Sequence, residues 1–60
     1  MATPETTRPT RILLVEDEAK TRASIREGFT LEGWIVTEAG DGDEAARILA
    51  AGGHDLCVLD

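Results

Sequence analysis

The chain has little cysteine, few basic residues and no long hydrophobic run, and each shortage argues against a class of protein. Its single cysteine, Cys57, cannot form an internal disulfide, so a disulfide-stapled fold is excluded. Six basic residues against 12 acidic ones give a net charge of −6, which argues against direct contact with nucleic acid or anionic membranes. No apolar run approaches the ~20 residues that span a bilayer, and the N-terminus lacks the hydrophobic core of a secretory signal. We therefore expect a cytoplasmic protein.

The chain is also short, which limits it to one domain. A chain of 60 residues buries only about 60% of the surface that its unfolded form exposes, so its stability is marginal. Residues 1–10 are rich in threonine and contain two prolines, and we predict a disordered tail there. The folded part is predicted to comprise residues 11–60.

The strongest local pattern is a short apolar strand followed directly by three acids. Ile12–Val15 is predicted to be a strand buried on both faces, as in a parallel sheet covered by helices. Glu16, Asp17 and Glu18 then stand at its carboxyl end, where open α/β sheets bind their ligands. Adjacent carboxylates repel one another, so such a site favours a cation, and oxygen ligands suit Mg²⁺, Mn²⁺ or Ca²⁺. A helix start would also favour one or two of these acids, but it explains three poorly.

The rest of the chain alternates between helical and strand patterns. The predicted elements are a helix over Ala19–Glu32, a strand over Trp34–Glu38, a helix over Asp43–Ala51 and a buried strand over Leu56–Leu59. Gly33 is expected to end the first helix, and Cys57 is expected to be packed in the core. Helices that connect successive strands imply parallel strands with right-handed crossovers. If the first and third strands are neighbours, Asp60 comes to lie beside Glu16 and Asp17.

Four segments, in this order and spacing, resemble the receiver domain of two-component response regulators. They are Ile12–Glu18, Gly33–Val36, Ala39–Ala45 and His54–Asp60. The resemblance implies an α/β fold: a flavodoxin-like, doubly wound parallel sheet that is truncated after the third strand (βαβαβ), with the first and third strands adjacent. Residues 11–60 are then the amino-terminal half of a receiver. A sheet of this kind leaves an unpaired edge and bare apolar faces.

The same resemblance implies a function. Asp60 resembles the family's phosphoacceptor, and Glu16 and Asp17 resemble its acidic pair, so these three carboxylates are the expected ligands of Mg²⁺, with Mn²⁺ as an alternative. The implied donor is a phosphohistidine on a sensor histidine kinase. The implied output is transcription control through a DNA-binding domain absent from this sequence, with phosphorylation-dependent dimerisation of the complete protein. The resemblance makes the complete protein a candidate for catalysing its own phosphotransfer and dephosphorylation, and the segment as given is not expected to be a stand-alone enzyme.

Two other hypotheses remain open from the residues. Gly40-x-Gly42-x-x-Ala45 follows a strand and opens a helix, as in a dinucleotide-binding fingerprint, with Asp60 on the ribose. Against it, Asp41, Asp43 and Glu44 would bring like charge to a pyrophosphate. The third hypothesis is a pseudo-receiver, an interaction module that is never phosphorylated.

Two single residues have structural expectations. His54 is expected to be an exposed or capping histidine in the loop before the third strand. Trp34 is expected to pack over the edge of the sheet, and it would report on the site by fluorescence if it lay near the acids.

Overall fold

A computed structural model describes residues 9–59 of the chain. Five elements follow one another as strand, helix, strand, helix and strand. They are β1 (Arg11–Val15), α1 (Ala19–Leu31), β2 (Ile35–Ala39), α2 (Gly42–Ala51) and β3 (Leu56–Leu59). Most of the predicted tail lies outside the described residues, whereas the carbonyl of Thr10 accepts a hydrogen bond of 2.9 Å from the Ile35 amide. Neither helix is long and apolar enough to cross a membrane.

The three strands form one parallel sheet in the order β2-β1-β3. β1 lies in the middle and pairs with β2 from Arg11 opposite Ile35 to Val15 opposite Ala39. It pairs with β3 from Ile12 opposite Leu56 to Val15 opposite Leu59. The predicted βαβαβ order, the parallel pairing and the adjacency of the first and third strands are therefore confirmed.

β1 is the core of the molecule because it is the only described strand with a neighbour on each side and a helix on each face. Ile12, Leu13 and Leu14 are fully buried. Full burial of an aliphatic side chain of this size contributes about 1.5–3 kcal/mol. Because successive strand residues point to opposite faces, Leu13 lies beneath α2, in a cluster with Val15, Ala39, Ala45 and Ile48.

Both helices begin at an acidic cap. Glu18 caps α1 by accepting from the Thr21 amide, and Asp41 caps α2 by accepting from the Glu44 amide. α1 ends one residue before the prediction, at Leu31, and Gly33 then takes the positive φ of +89° that terminates such a helix. α2 begins one residue earlier than predicted, at Gly42.

β2 begins after Trp34 rather than at it. The Trp34 amide donates to the carbonyl of Phe29, 3.2 Å away, so this residue still belongs to the turn that ends α1. Its indole packs on the Phe29 ring with centroids 5.1 Å apart. Trp34 therefore covers the end of α1, and the strand that was predicted over Trp34–Glu38 is found one residue later, at Ile35–Ala39.

The prediction that β3 is buried was wrong for the described part of the chain. Leu56 is 52% exposed and Leu59 is 74% exposed, and Cys57 is exposed rather than packed. The reason is that β3 lies at the edge of the three-stranded sheet and that neither α1 nor α2 packs against it. The sheet therefore has the unpaired edge and bare apolar face that the sequence leads one to expect.

Candidate functional site

The acidic run lies at the carboxyl end of the central strand, and its three members have different environments. Glu16 is buried, with 6% of its surface exposed, whereas Asp17 and Glu18 are exposed. Within residues 9–59, Asp17 is the one of the three whose carboxylate has no hydrogen-bond or ion-pair partner. An acid in that position is available to an external cation.

Glu18 has a structural role as the cap of α1, the helix that follows it. One of its carboxylate oxygens accepts hydrogen bonds from the hydroxyl of Thr21 and, over 2.8 Å, from the Thr21 amide. The hydrogen bond from the Thr21 hydroxyl has the larger effect on the pKa of Glu18 and that from the Thr21 amide the smaller, and both lower this pKa below 4.5. One acid of the run is thus a helix cap, as the sequence suggests.

Glu16 is fixed through both its backbone and its side chain. Its amide donates to the carbonyl of Ala39 (3.1 Å), which continues the hydrogen bonding between β1 and β2 past the last strand residue. Its Oε2 accepts from the Glu18 amide (2.8 Å). Its carbonyl accepts from Nη1 of Arg22 (2.7 Å). Glu16 is therefore tied to β2 through its amide and to α1 through its carbonyl.

The role of Arg22 was not predicted from the sequence, because an arginine at this point is typical of a polar, solvent-facing position on α1. Its side chain is only 23% exposed, and its Nε lies 3.1 Å from Oε1 of Glu38 on β2. A Cβ added at Gly40 would come within 3.4 Å of its Nη1. The available signal is weak: a basic residue one helical turn after the Glu18 cap, where it can reach back toward the end of β1.

Asp60, the predicted phosphoacceptor, lies outside the described residues. The residue before it, Leu59, is paired with Val15, the residue before Glu16. Within residues 9–59 there is no group of three side chains that is able to hold a metal ion. The described residues instead offer two neighbouring carboxylates, Glu16 and Asp17, and such oxygen donors suit Mg²⁺ or Mn²⁺ as part of a larger set.

The glycine-containing turn before α2 is arranged unfavourably for a phosphate. Oδ1 of Asp41 accepts from the Glu44 amide (2.8 Å), and Oε1 of Glu44 accepts from the Gly40 amide (2.9 Å). These backbone donors, which a dinucleotide would need for its pyrophosphate, are already bonded to the chain's own carboxylates. The structure thus disfavours the dinucleotide hypothesis.

His54 and Trp34 both lie toward the other end of the sheet. Nε2 of His54 is 3.0 Å from the hydroxyl of Thr37, and the histidine is half-buried rather than exposed. Trp34 directly precedes β2, at the end opposite the acids. It is therefore suited to reporting on folding and not on the acidic site.

Comparison with curated proteins gives several relatives of one kind. The transcriptional regulatory protein PdtaR of Mycobacterium tuberculosis is 43% identical over 53 residues, which are 87% of this chain and 26% of the relative. The response regulator MprA of Mycolicibacterium vanbaalenii is 40% identical over 52 residues, covering 87% of this chain and 22% of the relative. The aerobic respiration control protein ArcA of Escherichia coli is 43% identical over 49 residues, covering 82% of this chain and 21% of the relative.

These relatives are response regulators, and their similarity over most of this chain supports a receiver domain. The relatives support a place in two-component signalling, and the parallel βαβαβ sheet is consistent with a flavodoxin-like receiver fold. This receiver segment spans about a quarter of the length of the curated relatives that it matches. No family model matches it, and no solved structure matches it significantly.

Proposed function

We propose that this receiver segment accepts a phosphoryl group on Asp60 from a sensor histidine kinase, in a reaction that requires Mg²⁺. The observation that carries the proposal is the parallel register of β1 and β3, in which Val15 is opposite Leu59. Glu16 and Asp60 each follow one member of that last pair, and consecutive Cα atoms are only about 3.8 Å apart. The register therefore supports a site in which the acids after β1 and the acid after β3 act together.

The chemistry proposed for Asp60 is nucleophilic substitution at phosphorus. A carboxylate oxygen of Asp60 attacks the phosphorus of a phosphohistidine, and a new P–O bond forms as the P–N bond breaks. The bonding electrons of the P–N bond return to the imidazole nitrogen of the kinase. The product is an acyl phosphate on Asp60 and a free histidine, and no oxidant or further reactant is needed.

Glu16, Asp17 and Asp60 are the residues proposed to hold the metal. When bound, Mg²⁺ neutralises negative charge on the transferring phosphoryl group. Asp17 suits a direct ligand because it is exposed and has no partner among the described residues. Glu16 is already oriented by the Glu18 amide, and its role is to bind the ion directly or through water. Mn²⁺ is the expected substitute, since it accepts the same oxygen ligands.

The partners and output follow from the same proposal. The donor is a sensor histidine kinase, and the reaction takes place in the cytoplasm. One relative is described as a transcriptional regulatory protein, which supports transcription control as the output. The net charge of −6 argues that any DNA contact is made by another domain, and dimerisation would follow phosphorylation of the complete protein.

The test is the intact mass of the full-length protein after incubation with Mg²⁺ and a small acyl-phosphate donor. We expect the mass of one phosphoryl group to be added, and we expect no such gain after chelation of the metal. Asp60→Asn should abolish the gain because an amide is a poor nucleophile, while Asp43→Asn, an acid on α2, serves as the matched control and should keep it. If Asp60→Asn still gained a phosphoryl group, Asp60 would be excluded as the phosphoacceptor. If the wild type gained none either with or without Mg²⁺, the pseudo-receiver hypothesis would be favoured.

A further inference from the structure

We propose that Arg22 is a positioning residue that holds the acidic pair in the geometry needed for Mg²⁺, and this inference rests on the proposed function. Its guanidinium group joins three elements. Nη1 donates to the carbonyl of Glu16 at the end of β1 (2.7 Å), and Nε donates to Glu38 on β2 (3.1 Å). The side chain itself comes from α1.

The contact with Glu16 is a strong one for a backbone group. A hydrogen bond from a charged donor is shorter and stronger than one between neutral groups, and this one is made by a mostly buried arginine. The planar guanidinium group donates to two partners from fixed directions. Arg22 therefore fixes the Glu16 carbonyl relative to β2 and does not simply add charge near it.

The position of Asp17 depends on that carbonyl. The Glu16 amide is already tied to Ala39 and cannot turn without breaking the ladder of the sheet. The carbonyl of Glu16 belongs to the next peptide, the one that leads into Asp17, and its described hydrogen bond is to Arg22. Removal of Arg22 deletes this hydrogen bond, so we expect the peptide that leads into Asp17 to be held less firmly.

Arg26 provides a matched control on the same helix. It also pairs with Glu38, its Nε lying 2.9 Å from Oε2, but it makes no contact with Glu16 among the described interactions. Arg22→Met and Arg26→Met each remove one positive charge and one ion pair to Glu38. Only the first removes the hydrogen bond to the Glu16 carbonyl.

Charge and position predict opposite results, which makes the test decisive. A positive charge near the site repels Mg²⁺, so loss of charge alone would tighten Mg²⁺ binding. Loss of positioning weakens it, and removal of a residue that orients metal ligands typically costs 10–100-fold in affinity. We expect Arg22→Met to raise the Kd for Mg²⁺ by about tenfold or more, and we expect Arg26→Met to leave it unchanged or slightly lower.

The experiment is calorimetric titration of the full-length protein and both variants with Mg²⁺, with circular dichroism to establish that each variant is folded. Tighter or unchanged Mg²⁺ binding in Arg22→Met, or equal weakening in both variants, would overturn the inference. If Arg22→Met does not fold, Arg22→Lys replaces it. A single ammonium group does not reproduce the two hydrogen bonds that the planar guanidinium group donates, so weaker Mg²⁺ binding is still expected. A wild-type protein that binds no Mg²⁺ overturns the proposed function itself, and with it the role of Arg22 toward the metal.

Amide hydrogen exchange gives a second measurement that needs no metal. The Glu18 amide is held by Oε2 of Glu16, so its exchange reports directly on the order of the acidic turn. We expect it to exchange faster in Arg22→Met than in the wild type and Arg26→Met. Equal protection in all three proteins would contradict a positioning role even if Mg²⁺ affinity changed.

Discussion

At the scale of single residues, the three carboxylates after β1 have three separate tasks. Glu18 closes the start of α1, Glu16 is bonded within the turn, and Asp17 faces outward. Three acids in succession are costly without such a division, because like charges repel. The turn therefore combines a structural cap with two carboxylates that are placed for a cation.

The cap at Glu18 gives the α1 terminus a predictable dependence on pH. Because the folded-state pKa of Glu18 is lowered below 4.5, its contribution to stability is fully present above that value and is lost as the pH falls through the folded pKa. We expect Glu18→Ala to destabilise the full-length protein at pH 7 and to differ less from the wild type as the pH approaches 3. Urea unfolding followed through Trp34 measures this, with Glu27→Ala, an exposed acid on the same helix, as the control. A destabilisation that is constant over this pH range would contradict the capping role.

What could be predicted at this scale depended on sequence distance. The Glu18 cap involves a residue three positions away, so local pattern was enough to suggest it. The bond from Arg22 to Glu38 joins residues 16 positions apart, and the bond to Glu16 uses a carbonyl that every residue possesses. Neither hydrogen bond produces a sequence pattern that distinguishes Arg22 from a solvent-exposed arginine on a helix.

At the scale of elements, β1 supplies most of the buried apolar surface and fixes the acidic turn. Its run of branched residues predicted this correctly, since only the central strand of the sheet requires apolar side chains on both faces. β3 has a similar run, and the same reasoning placed Cys57 in a core. The error arose because apolar composition shows that a strand can be covered, whereas burial depends on which elements are present to cover it.

Truncation of a β1 side chain should therefore be far more costly than truncation of an exposed leucine. Leu13→Ala removes a fully buried side chain beneath α2, and a substitution of this kind typically costs about 2–5 kcal/mol. Leu31→Ala, at a position 83% exposed, should change stability by no more than about 0.5 kcal/mol. Chemical unfolding of the 60-residue polypeptide gives both values, and similar losses at the two positions would contradict the burial described for β1.

At the scale of the whole molecule, the described residues form a sheet that is well covered around β1 and uncovered at β3. The order of the elements and the parallel pairing followed from periodicity and from the order of apolar runs, whereas the flavodoxin-like fold and the adjacency of β1 and β3 were implied by the resemblance to receiver domains. The convergence of Asp60 on Glu16 and Asp17 stays a prediction, because Asp60 lies outside the described residues. The bare face of the sheet was expected, but the exposure of Leu56, Cys57 and Leu59 contradicts the burial predicted for β3.

This exposure can be measured on the 60-residue polypeptide. Cys57 lies on the uncovered strand, so we expect its thiol to react with a maleimide in native buffer almost as fast as in urea. The free thiol of a denatured sample provides the reference. Strong protection of Cys57 in native buffer would show that β3 is covered, by self-association or by a different packing of the chain.

The central claim is that Asp60 carries the phosphoryl group, and locating the modified residue tests it most directly. Borohydride reduces an acyl phosphate on aspartate to homoserine, a stable mark that peptide sequencing by mass spectrometry can assign to one position. In full-length protein treated with Mg²⁺ and an acyl-phosphate donor, we predict homoserine at position 60 and intact acids at positions 16 and 17. Homoserine at another position, or none in a protein that binds Mg²⁺, would contradict the account.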